Sequence, residues 1–271
     1  MSGATKTTRR GLVIAAVGGA AVIAALPFLG QPGGEATTAT PGERAAALGR
    51  RHGVTIDIGD PADLRLDGES GPPFAGAKTS AAALEALGPA LDGIAAALAC
   101  FPDGFAGRLV QAIAIAGRVE IDGRRVGGAN GRAAIVIAAP AELEPAAIRE
   151  TCRLVLLDHL AGHVWRRNPV TAAAWAEAMP AGWRAATAEE TIAAERTPPP
   201  RSDSGFLTAY GATSLEADFR SHAVRMAADP AGLASLALRY RATRRKAEIV
   251  RAAFVAIDGR CDATLPRFDR A

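Results

Sequence analysis

The segment from Glu142 to Val164 constrains the fold most. Its apolar residues Ile148, Cys152, Val155 and Leu156 recur at helical spacing, and the stripe they form runs on through His159 and His163. A helix with such a stripe must bury it against another layer. The two imidazoles therefore share the inward face. In His159-Leu160-Ala161-Gly162-His163 the histidines stand at i and i+4, the spacing that lets both rings reach one zinc ion.

The segments around this helix differ in kind. Before it, 41–52 reads as a short helix, Val54 to Ile58 alternates as a half-buried strand does, and 60–78 is a Gly/Pro-rich loop. Residues 80–99 carry Leu84, Leu87, Leu91, Ile94 and Leu98 at helical spacing, with Gly88-Pro89 and Gly93 predicting a kink. Phe101 to Phe105 is a turn. Two β-rich runs, 110–119 and 133–138, flank a Gly-rich segment at 123–131 and predict a sheet edge and hairpin. Gly127 to Gly131 lacks the Gly-Lys-Ser/Thr ending of a phosphate loop and opens no helix. After the histidine helix, 172–178, 214–227 and much of 230–257 read as helices, with a long loop through Pro198-Pro199-Pro200. Strands first and helices afterwards make the expected class α+β.

Residues 1–30 stand apart. Lys6, Arg9 and Arg10 precede an uncharged apolar stretch from Gly11 to Gly30, the form of an export signal. Thr8-Arg9-Arg10-Gly11-Leu12-Val13 resembles the twin-arginine export motif. The stretch is long enough to span a bilayer, so residues 1–30 are expected to act as a signal or an N-terminal anchor, with 31–45 a flexible linker and 46–271 the folded domain. The expected location is the cell envelope, periplasm or exterior, with contact to a membrane only through residues 11–30.

Those three cations account for the net charge of +3, so the rest is near neutral and nothing points to nucleic acid. The later cluster Arg239, Arg241, Arg244, Arg245 and Lys246 reads as a solvated helix face. Export permits disulfides, yet the three cysteines have no metal-binding spacing. Cys152 lies on the apolar stripe as a buried thiol, which leaves Cys100 with Cys261 as the expected pair. His52 is expected at the surface without a partner.

Several segments together resemble zinc metallopeptidases related to the catalytic domain of anthrax lethal factor. They are Phe101-Pro102-Asp103-Gly104-Phe105 before a strand, the Gly-rich hairpin, the histidine helix, and the block from Gly205 through Tyr210-Gly211-Ala212-Thr213-Ser214 to Phe219. The resemblance implies a zincin-like domain, zinc as cofactor, His159 and His163 as its first two ligands, and Tyr210 as an oxyanion stabiliser.

The departures fall on the chemistry. The family's general base follows the first histidine, and here that residue is Leu160; the third ligand falls on Ala217. Zinc lowers the pKa of its water to about 7, but hydrolysis also needs a base to carry the proton. Asp158 points about 100° away from His159 around the helix and is a poor substitute. Ser214 is an N-cap candidate, and Glu216 and Asp218 each lie about 100° from Ala217, so either becomes a ligand only if the helix turns or unwinds. His222, on the apolar stripe with Phe219 and four residues after Asp218, reads as a core histidine or as half of a side-chain pair. The expectation is a non-catalytic pseudopeptidase that binds a peptide or protein in the cleft. The alternative is an active zinc hydrolase that recruits Glu216 or Asp218.

Overall fold

The computed structural model of the protein describes residues 39–67, 71–194 and 202–268. The expected export signal or anchor at 1–30 lies outside them. Among the described residues no helix is long and apolar enough to cross a membrane. The chain enters through helix α1 (Pro41–His52), so 41–45, assigned above to the linker, are its first turns. Thr40 explains the start: its hydroxyl accepts from the Glu43 amide, and the Glu43 carboxylate accepts from the Thr40 amide at 2.8 Å. Gly53, at φ 68°, ends the helix in the left-handed conformation that glycine adopts without strain.

One mixed sheet is built around a ten-residue strand, β3 (Ala112–Ile121). Its first half pairs in parallel with β1 (Thr55–Asp57) on one side and β6 (Ala134–Ala138) on the other. Its second half pairs antiparallel with β2 (Ala77–Ala81) and β4 (Arg124–Val126), and β5 (Gly128–Asn130) pairs antiparallel with β6. The class is α+β, as expected. The hairpin is not: β3 and β6 run parallel, because the Gly-rich segment forms β4 and β5 and turns the chain an additional time. Asp122 and Gly123, both at positive φ (51° and 75°), make the tight turn from β3 into β4. β3 is thus the centre of the sheet, and β2 lies at the end of what read as loop.

Alternation along β3 and β6 separates large from small residues. Ile113, Ile115, Ile135 and Ile137 face the main core with the helices. Ala112, Ala114, Ala116, Ala134, Val136 and Ala138 face the other way, under Leu64 and Phe74 of the Gly/Pro-rich segment. Both faces are covered, which is why β6 is buried along its whole length.

The helical layer comprises α2 (Leu84–Leu98), α3 (Pro145–Arg167), α4 (Pro169–Glu177), α5 (Ala188–Ala194), α6 (Leu215–Ala228), α7 (Pro230–Arg239), α8 (Arg241–Ile257) and α9 (Cys261–Thr264). α2 stays one helix through Gly88-Pro89, and α5 falls in the segment read as loop. α2 lies close against α3 because Gly93 has no side chain; a Cβ there would meet the Arg149 carbonyl oxygen at 2.2 Å. Phe101 and Phe105 of the turn stack at 4.7 Å and both face Phe254 of α8.

Three expectations are corrected by packing. The three cysteines are free: Cys100, half-buried at the end of α2, donates to carbonyls of Ala96 and Ala227, while Cys152 and Cys261 are buried. Burial pushes the Cys152 thiol up to about 12, so it is an inert core residue as read from its stripe. His52 is buried at the end of α1, and its pKa is lowered by that burial. Lys246 leaves the solvated cluster altogether, being fully buried, whereas Arg239, Arg241 and Arg245 are exposed.

Candidate functional site

α3 is the central helix, and its residues 155–164 are all buried apart from half-buried Asp158. His159 has no exposure and His163 has 3%. Strand β5 runs beside them. A Cβ on Gly128 would meet His159 Nε2 at 2.7 Å and Val155 Cγ1 at 2.9 Å, so only glycine lets the strand lie this close to the imidazole. One turn on, the bare Cα of Gly162 opens a small polar cradle. A Cβ there would stand 3.4 Å from Arg166 Nη1, 3.4 Å from Glu216 Oε1 and 3.5 Å from Asn130 Nδ2. Among the described residues no protein group pairs with either ring nitrogen of His159, with His163 Nε2, or with either amide atom of Asn130.

The charges around the pair are mostly guanidinium. Arg166 and Glu216, each with about a third of its side chain exposed (35% and 32%), approach to 3.6 Å, and Arg220 Nη1 reaches Glu216 Oε1 at 3.8 Å. Arg220, on α6, is buried. Its Nε donates to Asp158 Oδ1 at 2.9 Å, with a second contact from Nη2 to Oδ2. Burial works against the Arg220 charge, and Asp158 more than restores it, holding the guanidinium above its ordinary range. Asp158 is thereby committed and is no general base. Burial, with Arg220 and Arg166 adding to it, holds His159 well below its usual value; burial and then Arg166 push His163 down to about 3. Both rings are neutral at physiological pH.

Asp218 is committed elsewhere. It is fully buried and pairs with Lys246 Nζ at 2.6 Å; Trp175 Nε1 donates to it at 3.1 Å, and His222 Nδ1 lies 3.3 Å away. Lys246 also donates to the Gly205 carbonyl at 3.0 Å and sits 4.2 Å from the Phe206 ring centre. This buried pair fastens the start of the tyrosine-bearing block to α6 and α8. His222 is the core histidine and the partner of Asp218 at once. Ser214 caps α6 by accepting from the Ala217 amide at 3.0 Å, as expected, and Ala217 is buried. Tyr210 is half-buried within electrostatic reach of Arg220, and its carbonyl accepts from Thr213. Leu160, where the resemblance leads one to expect a general base, is packed in the main core with no exposure.

The donor set does not fit a catalytic zinc ion. His159 and His163 offer two neutral, buried imidazoles, which suits a metal, but such a site takes three protein ligands. Among the described residues no group of three His, Cys, Asp or Glu can hold a metal. Asp218 belongs to Lys246, and Glu216 faces two guanidiniums that repel a dication. The residues that composition and spacing did not single out are Asn130, Arg166 and Arg220. Arg166 had a signal, three residues after His163 on the same helix. Asn130 lay in a segment read only as a turn.

No protein-family model matches the chain, and no curated protein or solved structure matches it.

Proposed function

We propose that this chain is an exported, zincin-like protein without peptidase activity, which binds a peptide or protein at the cell envelope through the groove that the resemblance implies. The observation that carries this reading is Leu160: the residue at the place of the proton-carrying glutamate is a core side chain with no exposure. The N-terminal segment supports the location, since its paired arginines and apolar run have the form of an export signal or anchor. The test is incubation of the purified full chain with a peptide library, with and without a chelator. No cleavage is expected, and chelator-sensitive cleavage overturns the reading. Fractionation of cells producing the chain is expected to place it outside the cytoplasm.

A second reading keeps a zinc-dependent hydrolase with Glu216 as third ligand. It is favoured by one observation: Glu216 reaches the turn of α3 that carries His163, its Oε1 3.4 Å from where a Cβ on Gly162 would stand. Stoichiometric zinc in the purified protein, lost in both His163→Ala and Glu216→Gln, would establish it.

A further inference from the structure

Lys246, on α8, and Asp218, on α6, form an ion pair in which neither side chain has any exposure, with Nζ 2.6 Å from Oδ2. The rings of Phe206 and Trp175 lie 4.2 and 5.8 Å from Nζ and give it an apolar wall in place of water. Its other partner is neutral, the Gly205 carbonyl at 3.0 Å. Burial lowers the Lys246 pKa, and the attraction of Asp218 works against that shift. Each oxygen of the Asp218 carboxylate also faces a ring nitrogen. Trp175 Nε1 donates to Oδ2 at 3.1 Å. His222 Nδ1 stands 3.3 Å from Oδ1 and 3.0 Å from the Asp218 carbonyl oxygen. Both of those neighbours are acceptors, so Nδ1 carries the ring proton. A nucleophilic nitrogen, a carboxyl group and an N–H donor at each of its oxygens are thus held together where water is excluded, and acyl transfer needs that arrangement.

We propose that Lys246 and Asp218 condense to an intramolecular amide, so that the chain forms its own cross-link between α6 and α8. The ion pair is the reactant and is what newly folded chain holds. One ammonium proton passes to the carboxylate, because desolvation works against both charges, and this frees the amine lone pair. Nζ then bonds to Cγ, while the N–H groups of Trp175 and His222 stabilise the negative charge that develops on the carboxyl oxygens. The bond from Cγ to one of those oxygens breaks. That oxygen leaves as water with two of the three ammonium protons, and the third stays on the amide nitrogen. Nothing is oxidised or reduced, and no co-reactant is needed. The loss of two buried charges favours the amide, and the fixed geometry removes the entropic cost of bringing the groups together. The cross-link does not depend on the peptide-binding reading.

The test is peptide mass spectrometry of the full chain, newly purified and after a week at physiological temperature. Trypsin does not cut after an acylated lysine. The expected product is a branched peptide in which 202–220 is joined to 246–251, lighter by one water than the two together and increasing with storage. Lys246→Arg keeps the charge but has no amine to acylate, and is expected to lack the branched peptide. The parent chain decides the outcome, so a failure of this variant to fold leaves the test intact. His222→Phe keeps a ring against Trp175 and removes the N–H, and is expected to slow accumulation about tenfold or more. Accumulation at the parent rate overturns the part given to His222. Recovery of 202–220 only as a linear peptide, with Lys246 still open to trypsin after storage, overturns the proposal. A loss of water that maps to a succinimide at an Asp-Gly bond, with no branched peptide, overturns it as well.

Discussion

An imidazole buried with neither nitrogen paired to the protein opposes folding by about 1–3 kcal/mol, the penalty of desolvating polar atoms without replacing their hydrogen bonds. His159 is in that position, at the heart of α3. Leucine has a similar volume and no polar atom, so His159→Leu is expected to raise the unfolding free energy by about 1 kcal/mol, read from urea denaturation midpoints. A loss of stability would mean that the ring has a structural partner. At this scale the sequence was legible where spacing sufficed: the i, i+4 pair lies on one buried face, and Ser214 and Asp218–His222 pair as their positions predict. It was not legible where a partner came from another element. Nothing near Arg220 in the chain announces Asp158, sixty-two residues earlier, as its counterion.

Elements meet here through backbone, and glycine decides how closely. Gly93→Ala puts a Cβ 2.2 Å from a carbonyl oxygen of the facing helix, and neither atom can move without its helix. The gain in helix propensity does not offset this, so a net loss of about 1–2 kcal/mol is expected by thermal or chemical denaturation. At the other end of the helical layer, Asp258 joins α8 to α9. It accepts from the Arg260 side chain at 2.7 Å and amide at 3.1 Å and pairs with Arg108 at 3.1 Å. The hydrogen bonds from Arg260 hold its carboxyl down to about 2, below the ordinary 3.8. The folded state thus binds its proton more weakly than the unfolded one. The stabilisation is complete above the ordinary carboxylate value and is lost as pH falls through about 2. Asp258→Asn is expected to cost about 1–3 kcal/mol at neutral pH, with the gap to the parent closing in acid, measured by denaturation across a pH series. Among elements, the helices with long apolar stripes were readable. β2, β4 and β5 were not, because strands of three to five residues in Gly-rich sequence take their conformation from the partner that β3 or β6 supplies.

Across the whole molecule one core joins the sheet to the helices, and the Lys246–Asp218 pair fastens its second half. Removing one member leaves a buried charge unmatched, so Lys246→Met is expected to destabilise by about 3–5 kcal/mol. The double change Lys246→Met with Asp218→Leu is expected to recover most of that, as urea denaturation of the single and double variants will show. Composition, strand-before-helix order and the histidine stripe determined by themselves that this chain is α+β with a buried histidine helix, because periodicity reports which side of an element must leave water. The tertiary structure alone decided that β3 and β6 run parallel, that Lys246 is interior, and that guanidiniums rather than carboxylates surround His159 and His163. Those outcomes depend on which distant segments meet, and a one-dimensional pattern carries burial without carrying the partner.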